Sequence, residues 1–177
     1  KGWTKSTCLS EKDCILLPIN SELHWWLAAV RTHGSTQILC LDSLEDASRY
    51  DSTAHYIRGY LEREWQERPS STFSRCLVQD AMECCPTTVP QQDNGWDCGV
   101  FLLENALQLF MAGRSVAGVP TWCDQETAVR RRSCLRRTLY RLQAESSGER
   151  VAVPELLSRS PELVAKLRVL WGLGAAA

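Results

Sequence analysis

The 177 residues predict an α+β domain, with strands gathered ahead of the helices rather than alternating with them. Three observations carry that reading. Short apolar runs at 14–19, 25–31 and 36–41 crowd the start of the chain and have strand length. Two longer segments, 43–67 and 125–143, repeat apolar residues at helical spacing. Between them VPQQDNGWDCGVFLLENALQLF, residues 89–110, turns from a polar, Gly-marked loop into a nearly unbroken apolar run.

The first run, CILLPI, reads as a buried strand ended by a Pro-containing turn. The next two runs form a hairpin, with THGST supplying the reversal. Centring that hairpin on His33 and Gly34 sets His24 opposite Ser43, so Asp42 misses the face of His24 by one residue. A bulge, or His24 lying just outside the strand, would correct the parity. LDSLEDAS then opens a helix, with Ser43 as a cap-like residue followed by Asp46. Ile57, Tyr60, Leu61 and Trp65 line its apolar face, and Pro69 closes it. Residues 84–89 read as a further strand, and a helix runs from Cys98 to near Gly113. In the helix at 125–143, Val129, Leu135, Leu139 and Leu142 share one face. A short helical patch, SPELVAKLRVLW, lies in the tail.

Composition removes several function classes. A formal charge of -1 with 23% charged residues calls for neither a nucleic acid nor a membrane partner. No apolar stretch approaches the roughly 18–20 residues that span a bilayer. Nine cysteines, an odd number without a CxxC pair and with Cys84 and Cys85 vicinal, make a poor disulfide framework. With only His24, His33 and His55 as imidazoles they also make a poor zinc site, so no metal and no cofactor is expected. Reduced thiols point to a nuclear or cytoplasmic protein, and a monomer is expected. Lacking an initiator Met and a signal-peptide pattern at Lys1, the chain reads as a fragment. The arginines at 130–132, 136, 137 and 141 read as the solvated face of an amphipathic helix, with a localisation signal or acidic-partner surface as the alternative.

Cys98 stands where nucleophile chemistry favours it. A thiolate attacks and a thiol does not, and the free N–H groups of a helix's first turn stabilise negative charge. Asp97 is a good N-cap, Gly95 allows a tight turn, and Gly99 leaves room for a substrate backbone. A cysteine also needs an imidazole and a group to orient it. His24, at the mouth of a strand, and Asp42 are placed for those roles. Gln91 and Gln92 lie just upstream with amide donors for a developing oxyanion, and the Cys98 N–H is another. Each residue has a plainer reading: core cysteine, aromatic packing at HWW, helix cap, loop filler. Their ordered combination argues for catalysis.

That combination, in LLPINSELHWWLAAV, ILCLDSL and VPQQDNGWDCGVFLLENA, resembles the ubiquitin-like-protein-specific cysteine proteases, the SUMO (sentrin) protease family. The resemblance covers about residues 2–142, and its Pro-Gln-Gln and Asp-Cys-Gly block is its most specific part. It implies a papain-like α+β fold, with the nucleophile at the N-terminus of a central helix packed on a mostly antiparallel sheet. By it Cys98 is the nucleophile, His24 the general base, Asp42 its orienter and Gln92 the oxyanion donor. Trp25 falls where the family's tryptophan covers a tunnel for a Gly-Gly tail, with Gln91, Gly95, Trp96 and Gly99 beside the substrate. Trp96 stands where the family often has a small polar residue. The family's upstream Asn-Asp helix and second tryptophan have no counterpart here, so residues 1–143 are expected to be an N-terminally truncated catalytic domain and 144–177 a partly helical extension. The implied activity is removal of SUMO or a related ubiquitin-like modifier from target lysines, or processing of its C-terminal Gly-Gly precursor, through a thioester. Alternatives are a deneddylase, an effector-type Cys/His acetyltransferase, and a catalytically idle ubiquitin-like-binding module.

Overall fold

Near-continuous burial along two strands explains how the chain is layered. The computed structural model describes residues 8–32, 37–67, 82–112 and 122–145. After a single 3-10 turn at Leu9–Glu11, four strands form one sheet in the order β1 (Cys14–Ser21), β2 (His24–Arg31), β3 (Gln37–Leu41) and β4 (Glu83–Thr87). The pairs β1–β2 and β2–β3 are antiparallel and β3–β4 is parallel. A parallel neighbour needs a crossover, and α1 (Ser48–Glu67) lies in that connection. Two further helices follow, α2 (Cys98–Ala112) and α3 (Gln125–Glu145).

β2 is apolar on both faces, which is how a strand covered on both sides reads. On one face Trp26, Ala28, Val30, Ile38 and Cys40 pack with Tyr50, Ala54, Ile57 and Leu61 of α1. On the other, Leu27, Ala29, Leu39 and Leu41 pack with Val89 and with Leu102 and Leu109 of α2. Leu27, Ala28, Ala29 and Val30 are wholly buried, so β2 is the spine of the fold.

Several boundaries differ from the sequence expectation for physical reasons. β1 continues through Pro18 to Ser21 and is only half-buried, not a buried strand. Proline lacks the N–H for a second neighbour, so Pro18 and Pro86 both fall on strands at the ends of the described sheet order. α1 begins at Ser48, not beside Ser43: Asp46 Oδ1 accepts from the Ser48 N–H at 3.0 Å and from its hydroxyl at 2.6 Å. Tyr60 is exposed, and Tyr50 and Ala54 complete the buried face with Ile57 and Leu61. In α2, Glu104 and Asn105 are buried although polar, and Leu103, Phe110 and Met111 are exposed. Among the described side chains of α3, Ala128 is buried, while Val129 and Leu139 are exposed.

Contacts divide the chain after Val129 into two units. The first contains the sheet, α1, α2 and the start of α3. The described part of the second is the remainder of α3, where Arg130, Arg132, Arg136 and Arg137 are exposed. The hairpin turn at His33–Gly34, Pro69, and the expected helical patch in the tail lie outside the described residues. No described helix is long and apolar enough to cross a membrane.

Candidate active site

The tight turn between β1 and β2 delivers His24. Ser21 pairs with His24, leaving Glu22 and Leu23 as a two-residue loop with φ of 51° and 63°. Positive φ at both positions is the hairpin geometry that matches strand twist, although glycine and asparagine usually supply it. His24 begins β2, and Asp42 follows the last residue of β3.

The observed register aligns Leu27 with Leu41, one residue away from the expected pairing. Extending it aligns Trp26 with Asp42, and His24, two residues along β2, shares that face. No bulge is needed. A strand buried on both faces fixes its register strongly, because a one-residue slip would exchange every side chain between α1 and α2.

His24 Nε2 and Asp42 Oδ1 are 2.6 Å apart, and both residues are buried. The Leu44 N–H donates to Asp42 Oδ1 at 2.8 Å, the Tyr50 hydroxyl donates to Oδ2 at 3.3 Å, and Arg49 Nη1 lies 3.5 Å from Oδ2. A buried carboxylate requires such partners. Burial first, and then the Asp42 charge, push the Tyr50 phenol well above its usual range, so it stays a neutral donor. An ionised carboxylate only accepts, so His24 Nε2 carries the proton of this bond and Nδ1 is the ring nitrogen left for other chemistry.

Cys98 is the first residue of α2 and is buried, at 7% exposure. The carbonyl of Asp97 accepts from Val100 at 2.8 Å and from Phe101 at 3.0 Å, which sets the start of the helix. The Asp97 side chain links the loop to other residues. Wholly buried, it accepts from Asn94 Nδ2 at 2.8 Å and from Gln125 Nε2, at the start of α3, at 2.7 Å. Gln125 Oε1 also accepts from the Asp93 N–H at 3.1 Å, while Asn94 Oδ1 accepts from Trp96 and Asp97 N–H groups. The loop before Cys98 is thereby closed on itself and tied to the start of α3.

The two glutamines join this loop to the end of β3. Gln92 accepts from the Ser43 hydroxyl at 2.7 Å and donates its backbone N–H to the Ser43 carbonyl at 2.9 Å. Gln92 Nε2 donates to the Asn94 carbonyl. Gln91 donates to the carbonyls of Asp42 and Val89 at 3.0 and 3.1 Å and accepts from the Glu45 N–H at 2.9 Å. The structure therefore joins His24 to Asp42, and Gln91 and Gln92 to the residues around Asp42. Among the described residues, Cys98 has no hydrogen bond to His24. Catalytic hydrogen bonds in unliganded sites are often long and tighten when substrate binds.

Trp25 is 44% exposed and Trp96 68% exposed. A Cβ at Gly95 or Gly99 would meet nothing within 4 Å, so the space beside both glycines is open. The backbone at Gly95 is not left-handed, so its turn does not demand glycine. Sequence reasoning missed Tyr50, Asn94, Gln125 and the link from Ser43 to Gln92. Asn94 was visible inside the motif; the others are joined only by the fold.

Comparison with known proteins agrees with this architecture. Residues 1–136 match the model of the Ulp1 protease family, C-terminal catalytic domain. The chain is 34% identical over 122 residues to the probable ubiquitin-like-specific protease 2A of Arabidopsis thaliana, covering 62% of the chain and 16% of that protein. It is 36% identical over 104 residues to sentrin-specific protease 5 of Mus musculus, covering 59% of the chain and 13% of that protein. The chain thus spans about a sixth or less of these relatives' length. A crystal structure of a de-sumoylating protease superposes with a TM-score of 0.51 at 26% identity, covering 62% of this chain and 42% of that one. A structure of the SUMO protease Ulp1 with its catalytic cysteine oxidised to a sulfonic acid gives 0.53 at 22% identity over 71% and 52%, a likeness of fold. With a buried cysteine opening a helix and a His–Asp pair across neighbouring strands, the family match over residues 1–136 places this chain in the Ulp1 protease family.

Proposed function

We propose that the chain is the catalytic part of a cysteine peptidase that removes a ubiquitin-like modifier, SUMO foremost, from target lysines or trims its Gly-Gly precursor. The observation that carries this reading is the buried 2.6 Å His24–Asp42 bond, which commits Nε2 and leaves Nδ1 to exchange a proton with a nucleophile. Cys98 attacks the carbonyl carbon of the modifier's terminal glycine as its proton passes to His24. The oxyanion takes hydrogen bonds from Gln92 and from the Cys98 N–H. Protonated His24 then gives its proton to the departing amine, and the C–N bond breaks to leave a thioester. Water, deprotonated by His24, hydrolyses the thioester and releases the glycine carboxylate and the thiol. Trp25, Trp96, Gly95, Gly99 and Gln91 border the approach of the glycine tail. Such a tail suits a narrow path because it carries no Cβ atoms.

The names of the relatives and of the superposing proteases favour SUMO over other modifiers. The free thiols among the described residues support a reducing compartment, nuclear or cytoplasmic. We place the catalytic unit within residues 1–143. The test is hydrolysis of C-terminal aminomethylcoumarin amides of SUMO, NEDD8 and ubiquitin by the full chain, with an acetyl-CoA transfer assay in parallel. Release from SUMO that C98A abolishes supports the reading. Release from NEDD8 alone, or acetyl transfer without any amide cleavage, contradicts it.

A further inference from the structure

Two bonds fasten the residue after Asp42 to the loop before Cys98. The Ser43 hydroxyl donates to Gln92 Oε1 at 2.7 Å, and the Gln92 N–H donates to the Ser43 carbonyl at 2.9 Å. Both residues are buried, at 2% and 7% exposure. A hydroxyl can donate or accept, so this bond fixes which end of the Gln92 amide is oxygen only together with the bond its nitrogen makes. The nitrogen is then turned the other way, where it donates to the Asn94 carbonyl. An amide NH2 carries two hydrogens, so one remains for an oxyanion.

We propose that Ser43 is a positioning residue for the reaction: its hydroxyl holds the Gln92 amide with its nitrogen toward the developing oxyanion. The proposal rests on Gln92 being the oxyanion donor. Without the hydroxyl the amide side chain keeps only its Asn94 bond, and its nitrogen is held less firmly toward the oxyanion. Asp42 and Ser43 are adjacent, so one dipeptide at the end of β3 sets both the His24 ring and the Gln92 amide. Gln91 bonds the Asp42 carbonyl and the Glu45 N–H, on either side of Ser43. Those bonds hold the backbone when the hydroxyl is removed, so S43A alters the amide rather than the fold.

The test is a double-mutant cycle on the full chain, measuring kcat and KM with the aminomethylcoumarin amide of whichever modifier the wild type cleaves. S43A lowers kcat by about tenfold, the rate equivalent of one lost hydrogen bond, with KM changed less than about twofold. Q92A lowers kcat by roughly 10²–10³-fold, and S43A adds little in the Q92A background. S43T, which keeps the hydroxyl, recovers part of the loss. Should S43A fail to fold, S43C runs the same cycle with a weaker donor of similar size. Equal losses from S43A in both backgrounds, or an unchanged kcat beside an active wild type, overturn the inference alone. A wild type that cleaves no modifier overturns the catalytic reading and this inference with it.

Discussion

Cys98 is one of several free thiols among the described residues. Burial pushes the thiols of Cys14, Cys40 and Cys85 above their usual range, and the Cys84 sulfur, 3.2 Å from that of Cys40, adds to the effect there. At pH 7 these three should react slowly with an alkylating agent. Brief iodoacetamide treatment should therefore inactivate the enzyme while peptide mapping finds Cys14, Cys40 and Cys85 unmodified. Modification of Cys40 ahead of activity loss would be the contrary result. Asp42 offers a second residue-scale check. D42N keeps the shape but no longer fixes the His24 tautomer, and kcat falls by about 10⁴-fold if this pair behaves as in serine-protease triads. Y50F removes one of several donors to that carboxylate and costs only about fivefold, the rate equivalent of roughly 1 kcal/mol. A Y50F loss as deep as that of D42N would show that Tyr50 does more than support the carboxylate.

At the scale of elements, α1 depends on Asp46 and α2 on the sheet beneath it. Hydrogen bonds from the Ser48 hydroxyl and N–H hold the Asp46 carboxyl below its usual range. A folded-state pKa depressed in this way stabilises the protein above the unfolded value, near 3.9, and the contribution disappears as pH falls through the folded value. D46A should lower the unfolding midpoint at pH 7 and make little difference at pH 2; equal effects at both pH values would contradict the assignment. Leu27 is wholly buried between β2 and α2. L27A should cost about 2–5 kcal/mol in urea unfolding and weaken the mount that carries Cys98.

How legible these elements were follows from what determines them. β2 and α2 were readable because their apolar runs answer to burial and little else. The start of α1 was not, because Ser43 and Asp46 are both good caps and only the fold spends Ser43 on Gln92. The His24–Asp42 pairing is nearly readable and one residue off, since local turn residues centre the hairpin differently from the register that burial on both faces of β2 fixes. The links from Tyr50 to Asp42 and from Gln125 to Asp97 cross between elements and leave no local trace.

For the whole molecule, buried and half-buried groups that are held neutral when folded set a pH limit. Cys14, Cys40, Cys85 and Tyr50 all have folded pKa values raised by burial. Their contribution is complete below the unfolded values, about 8.5 for cysteine and 10 for tyrosine, and is lost as pH rises above them. The urea midpoint should therefore fall between pH 7 and pH 10.5, and an unchanged midpoint would mean these groups are not held neutral. Catalysis asks the fold to bring α2, the end of β3 and the mouth of β2 to one place, with the Gln91–Gln92 loop as the link. The most direct measurement is covalent capture of the full chain by SUMO bearing a C-terminal propargylamide, mapped by mass spectrometry. The account predicts one adduct, on Cys98, absent in C98A and formed at least about 10²-fold more slowly in H24A. Capture on another cysteine, or an undiminished rate in H24A, would contradict it.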